Sequence, residues 1–271
     1  MILFPNAKIN LGLNITERRT DGYHNIESMF LPVKWKDVLE IVPSRDVRTH
    51  LTVYGNKPDC PVEKNLVMKA YNALSALAPI PPADIYLEKI IPDGAGLGGG
   101  SSDAAFTLKG LNELFELGYT DYDLAKVAST IGADCTFFIY NRPMIATGIG
   151  TELSEVDFDC TPYYIVIVKP DVSVSTKEAY AGVAPASWET PLSTLIYENK
   201  IDDLKNDFEA SIFTKYPALG ELKQRLFDSG AVYASMSGSG SAVYGLFTDK
   251  ITAECAAKSL QAYPYVFVDK L

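Results

Sequence analysis

The sequence predicts an α+β protein of two domains, the second of them ferredoxin-like. Three observations predict this. The chain has 271 residues, more than one domain usually holds, so two domains are the default expectation. Its first part mixes strand and helix rhythms. Its last part reads β-α-β-β-α-β, the split βαβ pattern. No periodic pattern survives near residues 152–161, so the domains are expected at 1–152 and 153–271, with the functional site in the cleft between them.

The elements follow in chain order. Lys8 lies between strand-like apolar neighbours, and Tyr23-His24 follows Asp21-Gly22 as a turn would lead into a strand. Residues 37–43 and 85–91 are short β-rich runs. Residues 63–77 carry Leu66, Val67, Ala70, Leu74 and Leu77 as a helical stripe. Residues 101–115 carry Ala104, Ala105, Leu108, Leu111, Leu114 and Phe115 as a second one. Thr120 with Asp123 resembles a helix start, and Gly132 closes that helix as a C-terminal glycine. Further on, residues 163–169 form a strand stopped by Pro170. Residues 219–229 form a helix with Pro217 near its start and Gly230 at its end. Residues 231–236 and 241–247 are strands joined by Ser237-Gly238-Ser239-Gly240, residues 251–263 are helical, and 265–268 are a last strand.

Composition narrows the function. At this length roughly 70–75% of the unfolded chain's surface can be buried, so no disulfide staples are needed. Cys60, Cys135, Cys160 and Cys255 are scattered and only two histidines are present, which argues against a zinc site and suits a reducing cytoplasm. Met1-Ile2-Leu3-Phe4-Pro5-Asn6 turns polar too soon for a signal peptide, and no apolar run approaches the length of a membrane span. The expectation is a cytoplasmic protein away from membranes. A formal charge of −10 argues against nucleic acid as a partner, since binding it needs a basic face.

One segment demands an explanation. Pro92-Asp93-Gly94-Ala95-Gly96-Leu97-Gly98-Gly99-Gly100-Ser101-Ser102 stands between a strand and an amphipathic helix. So many glycines cost backbone entropy on folding, so something must require them. Bare backbone N–H groups can converge on a phosphate, and the start of the following helix adds its own free N–H groups and dipole. Ser101 and Ser102 offer hydroxyls to a phosphate oxygen or a magnesium-bound water. Two other glycine motifs fail. The match of Gly94, Gly96 and Gly99 to the dinucleotide fingerprint lacks a second strand after the helix. The Walker pattern lacks its lysine. A plain flexible turn would rarely need this many glycines directly ahead of a helix.

The run from Gly96 through Ala105 resembles the second motif of the GHMP kinases (galactokinase, homoserine kinase, mevalonate kinase, phosphomevalonate kinase). Pro5-Asn6-Ala7-Lys8-Ile9-Asn10-Leu11-Gly12-Leu13 resembles the family's first motif, and Ser235-Met236-Ser237-Gly238-Ser239-Gly240 its third. Arg19-Thr20-Asp21-Gly22-Tyr23-His24 and Ile131-Gly132-Ala133-Asp134 resemble the branch that phosphorylates a cytidyl diphosphate methylerythritol. The likeness runs nearly end to end. The departures are small: Ala95 for a glycine, Cys135-Thr136 for Val-Pro, and Asn206-Asp207-Phe208-Glu209 where a leucine is usual at the third position.

The resemblance implies a ribosomal protein S5 domain 2-like N-terminal domain followed by the ferredoxin-like one. It implies ATP as co-substrate, Mg²⁺ on the ATP phosphates without a dedicated protein metal cluster, and small-molecule substrates handled by a monomer or weak homodimer. Phosphoryl transfer needs positioning, charge neutralisation and a group to take the hydroxyl proton. Asp134 is the implied base, where a helix-end carboxylate would otherwise be a surface residue. Lys8 would hold Asp134 ionised and stabilise the developing alkoxide; its alternative is an edge-strand lysine that blunts aggregation. Asn10 would share the face of Lys8 and bond the substrate. Tyr23 and Tyr180 would stack on the cytosine and His24 would hydrogen-bond it, with Thr176 beside them. Gly238 and Ser239 would lie near the phosphates, although serine and glycine also dominate plain hairpin turns.

Overall fold

The computed structural model describes residues 1–58 and 60–271. By compactness the chain divides into two units. One comprises Met1–Ala7, Trp35–Asp93 and Gly98–Arg142; the other comprises Lys8–Lys34, Gly94–Leu97 and Pro143–Leu271. This division differs from a single cut near residue 152, and the reason lies in strand pairing. The strand His24–Lys36 takes Met144–Thr147 as its antiparallel neighbour. Leu13 bridges to Asn206, so the early hairpin packs with the late part of the chain.

The first unit holds a four-stranded sheet in the order Ile2–Leu3, Val38–Pro43, Ala83–Lys89, His50–Gly55. Only the last pair is parallel, and it brackets the helix Leu66–Ser75 as a crossover. That helix starts at Leu66, not at residue 63, because the Asn65 side chain accepts the N–H of Val67 and caps it there. The helix Gly99–Leu114 lies against the sheet so closely that a Cβ on Gly110 would come within 2.6 Å of Leu3. Thr120 and Asp123 form the expected capping box for Asp121–Ile131. Gly132 ends that helix in an extended conformation that any residue could adopt, so its glycine is not required there by φ. A further short helix, Cys135–Tyr140, buries Phe137 and Phe138.

Along Ala83–Lys89 every second residue is buried, as a half-covered strand requires. The alternation runs Ala83, Ile85, Leu87 and then Lys89, which carries an ammonium to the buried face.

The second unit holds two sheets. In one, the long strands Asn6–Arg18 and His24–Lys36 lie beside Met144–Thr147 and Glu152–Glu155. In the other, Tyr233–Met236, Val243–Phe247, Tyr164–Lys169 and Tyr265–Lys270 are neighbours in that order, all antiparallel. The helices Pro217–Asp228 and Lys250–Ser259 bury Leu219, Leu222, Leu226, Ala253, Ala256 and Ala257 in one core with Val166, Val168 and Val243. This is the expected β-α-β-β-α-β arrangement. The short helices Thr176–Ala181, Leu192–Tyr197 and Glu209–Lys215 are inserted between its first strand and first long helix.

Candidate active site

The first glycine loop has the backbone its sequence requires. Gly94, Gly96 and Gly98 take φ of 60°, 73° and 68°, while the buried Ala95 and Leu97 between them turn their side chains inward. Left-handed residues at alternate positions make the kind of concavity that gathers backbone N–H groups around an anion. Gly98 stands at the N-cap of Gly99–Leu114 and no side chain caps the helix. The Ser102 N–H reaches the Gly98 carbonyl at 2.9 Å, which leaves the N–H groups ahead of it for a ligand. Pro92 is buried and Asp93 exposed. The Ser102 hydroxyl is buried and has no partner among the described residues, a donor set that fits a phosphate oxygen or a water on its metal. Ser101 lies beside the Cys135 thiol, which burial pushes up to about 11, so that thiol is inert as a nucleophile.

Beneath this helix start, Lys89 bonds Asp37 and, at 2.8 Å, Asp103. All three are buried. The Asp37 carboxylate also accepts the N–H groups of Ile90 and Ile91, at 2.6 and 2.8 Å, whereas the second oxygen of Asp103 has no partner. One cation faces two carboxylates in an apolar interior. Burial pushes the Asp103 carboxyl up to about 8, against the attraction of Lys89 and with the repulsion of Asp37. Burial alone would lower Lys89; the two carboxylates more than offset it and raise it. The sequence hinted at this cluster only through a lysine on the inward beat of a strand.

In the second unit Lys8 and Asn10 share one face of their strand, as expected. The Lys8 ammonium lies 4.6 Å from the Phe30 ring centre and donates to Asn10 Oδ1 at 2.6 Å. Asn10 Nδ2 donates to Ser28 Oγ at 2.8 Å, and Ser28 in turn donates to the Gly12 carbonyl at 2.6 Å. This order of donors fixes the amide. Ser28 spends its one proton on Gly12, so it must accept from Asn10, and Asn10 must then present oxygen to Lys8. Asn10, expected as a substrate contact, is here the lysine's partner. Ser28 was not singled out in the sequence, where a serine inside a strand carries no signal.

Asp134 is half-buried at the N-cap of Cys135–Tyr140 and does not spend its side chain on capping that helix. It belongs to the first compact unit and Lys8 to the second.

Tyr23, His24, Thr176 and Tyr180 come together in the second unit, with Arg18 and Lys177, around a hollow of about 660 Å³. The ring stacked on Tyr180 is His24, with centroids 4.8 Å apart and planes at 21°. Tyr23 is 62% exposed. The expected pairing of Tyr23 with Tyr180 is therefore corrected: the chain turn at Asp21, whose carboxylate accepts the Tyr23 N–H, leaves Tyr23 at the rim. Burial, aided by Arg18, holds the His24 imidazole below its ordinary value. A neutral imidazole both donates and accepts, which suits the edge of a base.

The second glycine loop is held from behind. Asn206 Nδ2 donates to the carbonyls of Met236 and Gly238, at 2.7 and 2.9 Å. Ser237 Oγ donates to the Gly96 carbonyl at 2.8 Å and accepts from the Asn10 N–H at 3.3 Å. The Ser239 and Thr176 hydroxyls lie 3.5 Å apart. The structure thus joins Gly96, Asn10 and the loop at 237–240, and separately joins Ser239 to the Thr176 end of the hollow.

A glycine cradle at an uncapped helix start, a buried lysine locked by an amide and a ferredoxin-like half define a small-molecule phosphotransferase. The description "GHMP kinases N terminal domain" matches residues 65–142 and "GHMP kinases C terminal" matches 191–266, more than half of the chain together. The chain belongs to the GHMP kinase family. It is 53% identical over 250 residues to a 4-diphosphocytidyl-2-C-methyl-D-erythritol kinase of Parabacteroides distasonis, covering 91% of this chain and 92% of the relative. A protein of the same name from Bacteroides thetaiotaomicron is 51% identical over 253 residues, with 91% and 92% covered. Among solved structures, a 4-(cytidine 5'-diphospho)-2C-methyl-D-erythritol kinase superposes with a TM-score of 0.85 at 34% identity, covering 99% and 98%. A homoserine kinase of Cytophaga hutchinsonii shares the fold, with a TM-score of 0.72 at 19% identity over 100% and 94%.

Proposed function

We infer that the chain transfers the γ-phosphoryl group of ATP to the 2-hydroxyl of 4-diphosphocytidyl-2-C-methyl-D-erythritol, giving the 2-phosphate and ADP in the non-mevalonate isoprenoid pathway. The observation that carries this reading is the 53% identity, over 91% of the chain, to a relative of that name. The hollow at Tyr23, His24 and Tyr180 supports it, because it offers aromatic faces and a neutral imidazole to a cytosine.

The roles follow from the chemistry. The N–H groups of the loop from Gly94 to Ser101 cradle the ATP phosphates, and the helix dipole adds to the attraction. Mg²⁺ bound with those phosphates would supply charge neutralisation, and Ser101 and Ser102 are the hydroxyls suited to a phosphate oxygen or a metal-bound water. Asp134 accepts the proton of the 2-hydroxyl. Lys8, its ammonium oriented by Asn10, stabilises the alkoxide as it develops. Thr176, Gly238 and Ser239 contact the substrate. The family matches fall on either side of residue 152 and support domains at 1–152 and 153–271. The enzyme acts in the cytoplasm as a monomer or weak homodimer, and the charge of −10 supports small molecules over nucleic acid as partners.

An assay that couples ADP release to a visible signal tests the reading. The cytidyl substrate should be turned over and homoserine and mevalonate should not. Turnover of either of those, or none of the cytidyl substrate, would refute it.

A further inference from the structure

The tetrapeptide Asn206-Asp207-Phe208-Glu209 takes no part in the roles assigned above, yet each of its four side chains ends on a different neighbour of the site. Asn206 is buried and gives both Nδ2 hydrogens to the glycine loop, at the Met236 and Gly238 carbonyls. Its Oδ1 accepts the Phe208 N–H at 3.0 Å, which fixes which way the amide faces. Asp207 Oδ2 accepts from Asn14 Nδ2 and the Ile15 N–H at 2.8 and 2.7 Å, and its Oδ1 accepts from Trp188 Nε1 at 3.0 Å. These bonds hold the strand that carries Lys8 and Asn10. Phe208, 2% exposed, meets the Tyr180 ring edge to face, with centroids 4.9 Å apart at 87°. Glu209 Oε1 accepts from Ser235 Oγ and the Met236 N–H at 2.9 and 2.8 Å, while Oε2 pairs with Lys223 at 2.6 Å. The backbone adds to this, since Leu13 exchanges bonds with Lys205 and Asp207 at 2.7 and 2.9 Å.

Four consecutive residues thus serve three segments that the sequence keeps far apart. Helix-forming chemistry does not explain them, because the helix Glu209–Lys215 begins only at the fourth and has no side-chain cap. A segment serving only the core would bury apolar groups; here three of the four are polar and each is spent on a functional strand, loop or ring.

We propose that the tetrapeptide Asn206-Asp207-Phe208-Glu209 is a positioning hub that sets the reactive geometry and the substrate's base site through separate side chains. Asn206 and Glu209 fix the glycine loop, and through Ser237 they fix Gly96 and the Asn10 backbone. Phe208 fixes the ring of Tyr180. The phenylalanine, where the family usually has leucine, acts by supplying an aromatic face to that ring. The proposal rests on the kinase reading above.

The test is a split in kinetic constants. Asn206→Ala should lower kcat by about 10²-fold, the effect of a displacement near 1 Å at a reacting centre, and leave KM for the cytidyl substrate within about twofold. Phe208→Leu should do the reverse. It should weaken CDP binding, read by calorimetry, and raise the cytidyl substrate's KM by about 2- to 10-fold, the worth of one aromatic pair, with kcat kept. Where Asn206→Ala yields too little folded protein, Glu209→Gln reads the same arm, with kcat down by about 2- to 10-fold. Equal losses of kcat and KM in both variants, or no loss in either, would overturn the hub. Failure of the wild type to turn over the cytidyl substrate would instead overturn the reading beneath it, and the CDP calorimetry would still report on Phe208.

Discussion

In the first glycine loop Gly94, Gly96 and Gly98 all lie in the left-handed region, and no side chain caps the helix that follows. In the second, Gly238 and Gly240 lie there too, at φ of 54° and 87°, but Asn206 serves the carbonyls of the turn from within. The two loops touch: a Cβ on Gly96 would come 2.0 Å from the Ser237 carbonyl oxygen. Glycine alone therefore does not mark a phosphate cradle. What separates the loops is the account of their backbone polar groups. One turn has them satisfied by the protein, and the other keeps N–H groups for a ligand.

Neither loop supplies the proton acceptor, so the largest loss should arise outside both. Asp134→Asn should lower kcat by about 10²–10⁴ with the Kd of ATP nearly unchanged. Wild-type turnover would remove the residue from the mechanism. Gly96→Ala attacks the contact between the loops and should cost about 10²-fold in kcat/KM, since the new methyl group has no space and φ of 73° strains it. Gly94→Ala is the control. It has nothing within 4 Å of the added Cβ, so only the strain remains, about 1–2 kcal/mol of stability by thermal unfolding. Equal effects of the two alanines would mean that the contact does not matter.

Ser28→Ala should lower kcat by about 2- to 10-fold, by freeing the amide that presents oxygen to Lys8, and Ser28→Thr should restore it. The smallest effect concerns the triad under the first loop. The folded state keeps a proton on Asp103 up to about pH 8, whereas the unfolded chain releases it in the ordinary carboxylate range. The stability this contributes is complete below that range and is lost as pH rises toward about 8. Asp103→Asn keeps the shape and cannot ionise. Its Tm should fall less than that of the wild type between about pH 5 and 8, by about 2–4 °C for each kcal/mol at stake. Parallel Tm profiles would show that Asp103 ionises normally in the fold.

What the sequence made legible was local. The glycine loop, the capping box at Thr120 and Asp123 and the β-α-β-β-α-β order all depend on residues near one another. The strands Asn6–Arg18 and His24–Lys36 were harder, because the first is buried on both faces from Asn6 to Leu13 and shows no alternation to read. The short helix Cys135–Tyr140 reads as an apolar run of either kind. The candidate site divided in the same way. Lys8 and Asn10 are two apart on a strand and their shared face could be foreseen. Asn206 meets Gly238 thirty-two residues away, and His24 rather than Tyr23 meets Tyr180; pairings of that sort are decided by packing and leave no local trace.

The bare start of the helix Gly99–Leu114 has a consequence for the lifetime of the protein. A serine or asparagine cap there would add about 1 kcal/mol to the fold, and this chain forgoes it. A phosphate seated on those N–H groups makes up the difference only while it is bound. At a free nucleotide concentration one hundred times its Kd, the folded state gains about 2.7 kcal/mol by mass action. Proteolysis follows the population of opened molecules when opening is fast. A cell depleted of ATP would therefore lose this enzyme by degradation as well as by lack of substrate, and resistance to a protease should rise with added nucleotide before any product is made.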